Sequence, residues 1–471
     1  MEPKHIHFIG ICGVAMSALA IAFKNAGWHV TGSDVGFFPP ISTYLEKNNI
    51  AFYPGWHVEK MIARGTPDLI VVGNVAGSTN PEFVFAQTNN LHYKSYPEVV
   101  AEYIVAQHSL VCAGTYGKTS SAALLTYILQ QNGFDPSYMF GGLSSNIPDS
   151  AHINSNKEGW SVLEGDEYKT ARWDNRPKFA LYSPTHLLLT AVSWDHADVY
   201  PTEESYINTF KTLLASVPEN GLIVACTDAE KITELTTNAV TKARVISYGK
   251  NKTAEYRYDN ISQTTDGLHF NIYHNTQEYT IHSAVLGAHM AENICGAFAM
   301  AAEIGIDTNI IVQSIANFTG IKRRLEKKYE GFITIYDDLA HSPAKASATL
   351  KTLKFIYPTN NIIAIFEPNT GNRKSQSIPG YAHAFVDANE VIIPTLTKLK
   401  VDEKDTDPPF DGRALCDIIA KNHTHALYIE NDPALLAYIK EHAKKEDVVV
   451  FLGSHGFRGM IDELVRSYEG K

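Results

Sequence analysis

The sequence predicts an α/β protein in three domains, each built on a helix-covered parallel sheet. Three observations carry this expectation. Short apolar runs alternate with segments of helical period from end to end, the pattern of parallel strands joined by crossover helices. Two glycine turns, at Gly10 to Gly13 and Gly114 to Gly117, each follow a strand and open a helix. At 471 residues the chain exceeds what one core supports, and ~100–200 residues per domain predicts three.

The first domain, residues 1–107, opens with a strand from His5 to Ile9, a glycine turn, an apolar helix from Ala15 to Ala26 and a strand from His29 to Gly32 leading to Asp34. An apolar run at Leu69 to Val72 and a helix near Glu98 to Ala106 complete a Rossmann-like unit. Backbone N–H groups of the Gly10-Ile-Cys-Gly13 turn and the N-terminus of the helix it opens suit a diphosphate, Asp34 suits a ribose hydroxyl, and Gly10, Cys12, Gly13 and Ser33 are assigned with it to a substrate site. Asn74, just past the next strand, is assigned to the same substrate site. The dinucleotide fingerprint is incomplete, since Cys12 stands where its second glycine belongs. A turn that serves packing alone is the competing reading.

The second domain, residues 108–321, begins with a strand from Ser109 to Ala113, the loop Gly114-Thr-Tyr-Gly-Lys-Thr-Ser120 and a helix from Ser121 to Leu129. This is the context of a phosphate-binding loop, so a P-loop ATPase-like sheet is expected. Gly114 and Gly117 allow close backbone approach, Thr115, Tyr116 and Ser120 complete the cradle, Lys118 bridges phosphates, and the Thr119 hydroxyl can ligate Mg²⁺. Cys112 occupies the place of the usual first glycine, making this a shorter variant. Strands follow at Ser161 to Leu163, His186 to Ala191 and Leu222 to Ala225, then an antiparallel patch from Glu255 to Ile281 turning at Asp266-Gly267. A helix from Ala291 to Ile304 ends at Gly305.

The third domain, residues 322–471, carries strands at Thr334 to Tyr336, Ile362 to Phe366, Glu390 to Ile393 and Val448 to Leu452, separated by helical stretches, and reads as a second Rossmann-like sheet. Asp402 to Asp411 is the most loop-like segment. A net charge of −11 repels a phosphate backbone, which argues against nucleic acid. Neither a run of ~18 apolar residues nor a basic-then-apolar leader is visible, so a cytoplasmic enzyme without membrane insertion is expected. The five cysteines are scattered and unpaired in sequence, which suggests neither a disulfide framework nor a zinc site.

The Gly-Thr-x-Gly-Lys-Thr loop and the motifs around it resemble those of the Mur ligases, which build the peptide of bacterial peptidoglycan. The resemblance spans all three segments and implies ATP and Mg²⁺ as cofactors. It casts Glu164, in Val-Leu-Glu-Gly-Asp-Glu-Tyr, as a magnesium ligand and His196, in Trp-Asp-His-Ala-Asp, as a metal-site histidine acting directly or through water. A solvated strand-end acid and a hydrogen-bonded structural histidine are the plainer readings. Gly287-Ala-His-Met-Ala-Glu-Asn293 is similar to the family's adenine-reading helix start, with Met290 replacing one asparagine and leaving Asn293 the larger share. Ile321-Lys-Arg-Arg-Leu-Glu326 is similar to the domain junction that sends Arg324 to the ATP phosphates; a solvated basic run is the alternative for Arg323 and Arg324. Tyr336-Asp-Asp-Leu-Ala-His-Ser-Pro343 implies Asp338 near the nucleotide and His341 as a base at the reacting centre, although Leu339 and Ser342 depart from the pattern. Lys211, fifteen positions after His196, is placed like the lysine some members carbamylate to bind Mg²⁺. It borders the apolar stripe Tyr206, Phe210, Leu213, Leu214 and Val217 of a helix from Glu203 to Val217, where reaching out to solvent is the favoured alternative.

The segment His7-Phe-Ile-Gly-Ile-Cys-Gly-Val-Ala-Met16 resembles members that take UDP-N-acetylmuramate itself. Of these, one branch adds alanine; the other adds the recycled tripeptide L-alanyl-γ-D-glutamyl-meso-diaminopimelate. Glu167-Tyr168 with Trp173-Asp-Asn-Arg-Pro-Lys-Phe179 and Tyr182-Ser-Pro184, then Phe366-Glu-Pro368, then Ser454-His-Gly-Phe-Arg-Gly459 are similar to the tripeptide branch. Arg373, in the Asn369 to Lys374 turn, is assigned to substrate. The resemblance thus implies phosphorylation of the sugar's carboxylate, attack of the peptide amine on the acyl phosphate, closure of the third segment onto the second, a bacterial cytoplasmic location and a monomer or weak homodimer. Two readings of other classes remain. An NAD-dependent oxidoreductase would use Gly10 to Asp34 but leave the phosphate loop unexplained, and a catalytically silent nucleotide-binding module would have no need of Thr119, Glu164 and His196.

Overall fold

Strands buried along their whole length need helices on both faces, and the computed structural model builds three such sheets. It describes residues 3–37, 41–194, 196, 199–228, 230–236, 240–397 and 407–469. The chain divides into two compact units. One comprises residues 1–262, 269–284 and 289–320, and the other residues 263–268, 285–288 and 321–471.

In the first unit, His5–Ile9 and Leu69–Val72 are buried at every position, the signature of central parallel strands. They lie side by side in a five-stranded sheet ordered Ala51–Pro54, His29–Asp34, His5–Ile9, Leu69–Val72, Tyr93–Ser95, all parallel. The order reverses between His5–Ile9 and Leu69–Val72, the switch point beside which α/β sheets bind ligands. The turn after Ile9 opens there onto helix Val14–Asn25. Helix Tyr96–Tyr103 starts earlier than expected because Ser95 and Glu98 form a capping box.

The same unit holds a ten-stranded sheet in which His108–Ala113 is an interior strand, flanked in parallel by His186–Leu189 and Trp160–Gly165. Helix Lys118–Gln131 begins three residues before the expected Ser121, since Gly117 takes φ 78° as its N-cap. Ser137–Met139 and Arg244–Gly249 are strands the sequence reading lacked, the first too short and the second too mixed for period counting. Tyr256–Thr264, Gly267–His274 and Gln277–Ser283 extend one edge of the sheet. A separate hairpin, Lys169–Ala171 with Asp174–Pro177, covers the stretch around Trp173.

The second unit is a six-stranded sheet ordered Glu326–Glu330, Thr334–Asp338, Val448–Gly453, Ile362–Glu367, Glu390–Pro394, Ala426–Ile429. Only its first pair is antiparallel, and the rest is the Rossmann-like alternation expected. Apolar clusters around Phe366 on one face and Phe451 on the other bury it on both sides. Of the loop-like stretch, residues 402–406 lie outside the described residues; Asp407 accepts from Ser375 and Asp411 caps helix Gly412–Ala420.

Candidate active site

The phosphate loop forms where strand His108–Ala113 runs out between two neighbours. Gly114 adopts φ 134°, and a Cβ there would lie 2.3 Å from Thr190 Oγ1 and 2.7 Å from the Ala191 carbonyl. Only glycine fits. Thr115 N donates to Ala191 O at 2.7 Å and its hydroxyl to Ser193 O at 2.9 Å, while Thr190 Oγ1 donates to Tyr116 O. The loop is thus stitched to the neighbouring strand end, with Tyr116 left exposed and Ser120 buried in the helix that follows. A Cβ on Gly117 would stand 2.1 Å from Asn293 Oδ1, so helix Met290–Glu303 delivers Asn293 directly against the loop. Met290 contacts the same amide, its sulfur accepting from Asn293 Nδ2 at 3.5 Å.

Two carboxylates from the end of strand Trp160–Gly165 face the loop. Glu164 Oε1 accepts from Thr119 Oγ1 at 2.8 Å and Oε2 from Gly141 N at 2.6 Å. Glu167, buried, accepts from Lys118 Nζ at 2.6 Å through Oε2, while Oε1 accepts from the Tyr206 hydroxyl at 3.2 Å and lies 3.7 Å from His196 Nε2. Burial raises Glu167 above the ordinary carboxylate range, the Lys118 charge offsetting only part of that cost. Lys118, Thr119, Glu164 and His196, the residues singled out for phosphate and metal, are therefore held together by direct contacts or through Glu167. His196 sits at φ 54°, and its neighbours Asp195, Ala197 and Asp198 lie outside the described residues. Lys211 is not brought to this group. It is exposed on helix Glu203–Ser216 and lines a groove with Glu203, Glu204, Ile207, Lys231, Glu234 and Leu235.

In the N-terminal sheet the assigned residues meet, but with a different use of the turn amides. Gly10 N and Ile11 N donate to Ser33 O at 2.8 and 3.1 Å, Cys12 N to Asp34 Oδ2 at 2.8 Å, and Gly13 N to Gly10 O at 3.3 Å. The amides of Gly10, Cys12 and Gly13 shape the turn through these bonds, and the expected diphosphate site rests on the helix start beside them. At the helix start the amides of Val14, Ala15 and Met16 have no intrahelical carbonyl to donate to. Asp34 is buried and also accepts from Val35 N, and the Ser33 hydroxyl donates to buried Glu82. Asn74 is exposed, its carbonyl accepting from Arg172 Nε at 3.1 Å.

In the second unit the two junction arginines divide. Arg323 pairs with Asp337 at 3.1 Å and donates to the carbonyls of Gly453, Ser454 and His455, a clamp between two strand ends. Arg324 is exposed. Asp338 accepts from Leu325 N at 2.6 Å and Thr349 Oγ1 at 3.2 Å, and burial lifts it above the usual carboxylate range. His341 is pushed below the usual imidazole range by burial and by nearby Lys345, and its buried Nδ1 has no hydrogen-bond partner among the described residues. Ser342, a departure from the resembled motif, caps helix Pro343–Ile356 through Lys345 N. Arg373 is buried and donates to Phe410 O at 2.9 Å and Thr397 O at 2.8 Å. Glu367 accepts from Thr397 N and from Arg458 Nη1 at 3.1 Å, which ties the Phe366-Glu-Pro368 and Ser454 to Gly459 segments together.

Comparison with known proteins places this geometry. Residues 5–108 match the Mur ligase catalytic domain, 112–301 the Mur ligase middle domain and 323–455 the Mur ligase glutamate ligase domain. A UDP-N-acetylmuramate–L-alanyl-γ-D-glutamyl-meso-2,6-diaminoheptandioate ligase from Haemophilus influenzae is 32% identical over 376 residues, 79% of this chain and 81% of that one. The chain belongs to the Mur ligase family. A UDP-N-acetylmuramate–L-alanine ligase from Brachyspira hyodysenteriae is 28% identical over 473 residues, covering 99% of both chains. The fold is also that of the UDP-N-acetylmuramate-alanine ligase of Thermotoga maritima, with TM-score 0.79, 22% identity and 99% of each chain covered.

As a Mur ligase the protein is an ATP-dependent enzyme that forms amide bonds. Among its described residues, no helix is long and apolar enough to cross a membrane. What the sequence reading missed in this Mur ligase is Glu167 as the shared partner of Lys118, Tyr206 and His196. The run Glu164-Gly-Asp-Glu167, with three acids in four residues around a strand end, is the signal that pointed to it.

Proposed function

We propose that this Mur ligase joins UDP-N-acetylmuramate to L-alanyl-γ-D-glutamyl-meso-diaminopimelate in the cytoplasm of a bacterium, through an acyl phosphate. Residues 1–107 would bind the sugar nucleotide, 108–321 ATP, and 322–471 the peptide. The observation that carries the choice of amine is the stretch Trp173 to Phe179. It resembles the tripeptide branch, and it forms a hairpin that lays Trp173 on Phe83, ring centroids 5.3 Å apart, at the N-terminal sheet. The 32% identity to the Haemophilus enzyme supports the same branch.

The residues divide the work as follows. Amides at the start of helix Lys118–Gln131 and the Lys118 ammonium take the ATP phosphates and neutralise the transferring group. Thr119 Oγ1 and the Glu164 carboxylate are hard oxygen donors already in contact at 2.8 Å, a pair that suits Mg²⁺. The ion, when bound, draws negative charge from the transferring phosphoryl group. The sugar's carboxylate attacks the γ-phosphorus, ADP leaves, and the peptide amine attacks the acyl carbonyl to expel phosphate. His341, held neutral, is the group suited to accept the amine's proton.

The test is to supply purified protein with ATP, Mg²⁺ and UDP-N-acetylmuramate, offering L-alanine or the tripeptide, and to weigh the product by mass spectrometry. The tripeptide adduct is expected to form much faster. Equal or better use of alanine moves the protein to the alanine-adding branch, the reading that the 28% full-length relative favours. Product with neither amine overturns the proposal.

A further inference from the structure

Between the two sheets of the first unit lies a cavity of about 340 Å³. One side is the start of helix Val14–Asn25, contributing Val14 and Ala15, and the other is the end of strand Trp160–Gly165, contributing Leu163 and Glu164. Lys178 is the one cation among the residues lining it, set against the carboxylates of Glu164 and Asp166. Its ammonium pairs with Asp166 and stands 5.4 Å from the Tyr96 ring and 5.8 Å from the Tyr168 ring, so its position is fixed on three sides.

We propose that Lys178 receives the carboxylate of the acceptor sugar in this cavity and aims it at the phosphate site. The inference rests on the ligase reading above. The cavity runs from a helix start whose Val14 and Ala15 amides suit a phosphate to Glu164 beside the phosphate loop. A nucleotide sugar anchored at the first end presents its acid toward the second, and Lys178 is the cation on that path. The supply of this lysine is tied to the N-terminal sheet. Strand Asp174–Pro177 leads straight into it, and the hairpin tip is pinned by Trp173 on Phe83 and Tyr93 and by Arg172 on Asn74 O. Anchoring the hairpin to one sheet and Asp166 to the other holds Lys178 across the cavity. No bond is made or broken by Lys178; it orients a charge.

The experiment is calorimetric titration without ATP, comparing UDP-N-acetylmuramate with UDP-N-acetylglucosamine, which lacks the carboxylate. The wild type is expected to prefer the first. Lys178→Met is expected to lose that preference, weakening UDP-N-acetylmuramate by roughly ten- to hundredfold, the worth of a hydrogen bond between charged groups, and leaving UDP-N-acetylglucosamine unchanged. Lys178→Arg is expected to recover part of it. Because Lys178→Met strands Asp166, the Lys178→Met/Asp166→Asn double variant serves where the single one fails to fold, with the same expected loss. Equal weakening of both ligands, or of neither, overturns the proposal while the ligase reading stands. A wild-type protein that binds neither overturns both.

Discussion

Lys118 donates to Glu167 at 2.6 Å across the mouth of the phosphate loop, and Glu167 is buried where Lys118 is not quite. A phosphate that takes Lys118 must compete with this carboxylate. Lys118→Ala is expected to lower ligation at least ~10³-fold, the scale of removing one preorganised cation from a phosphoryl transfer. Its fold should survive, because Glu167, already raised by burial, can take up a proton once its partner is gone. Product assays with circular dichroism check both halves; an unfolded variant would refute the assignment.

Gly117→Ala should be worse than a methyl group suggests. The position sits at φ 78° and the new Cβ would meet Asn293 Oδ1 at 2.1 Å. Left-handed strain alone costs ~1–2 kcal/mol, and relieving the clash moves either the loop or Asn293. ADP affinity measured by calorimetry is expected to drop at least tenfold, and wild-type affinity would show that the loop and Asn293 do not share a nucleotide.

Glu164→Gln keeps the shape of the side chain but removes a hard anionic donor beside Thr119. The Mg²⁺ concentration for half-maximal ligation is expected to rise about tenfold or more, the loss usual for a metal-site carboxylate or its support. An unchanged Mg²⁺ curve would move the metal elsewhere.

Asp337 is raised to about 6 by burial, with Arg323 offsetting part of the effect. A folded pKa above the unfolded one contributes stability that is complete below ~4 and lost as pH rises through about 6. Asp337→Asn should therefore flatten the pH dependence of stability between pH 4 and 7, by up to ~3 kcal/mol for a shift of about two units. Thermal melts of both proteins at several pH values read the slope directly; parallel curves would contradict it.

Lys211→Ala is expected to retain full activity, and added short carboxylic acids should leave it unchanged. The side chain is exposed in a groove with one other lysine, Lys231, and three glutamates, Glu203, Glu204 and Glu234. Loss of turnover that acetate partly restores would revive the carbamylated-lysine reading.

Much of the architecture was legible because it rests on local signals. Gly10, Gly114 and Gly117 all take positive φ, and apolar runs such as Leu69–Val72 and Val448–Gly453 are buried at every position. Boundaries slipped where caps rather than periodicity set them, as at Gly117 and Ser95. The candidate site was legible in its motif residues and obscure in their partners. Arg323 and Arg324 are adjacent and alike in sequence, yet one is half-buried and clamps the carbonyls of Gly453 to His455 while the other is exposed beside Asp338.

The sequence alone determined the parallel strand pairs at the heart of three sheets, the phosphate loop with Lys118 and Thr119, and the family whose chemistry they serve. These depend on residue type at short spacing, where steric limits on φ and the period of buried side chains leave few choices. Tertiary structure alone decided that the Gly10 to Cys12 amides close on Ser33 and Asp34, that Glu167 gathers Lys118, Tyr206 and His196, and that Lys178 and Val14 line one cavity. Those outcomes turn on which buried polar groups find one another across long stretches of chain. A buried donor or charge must be paired, and sequence spacing does not say with what.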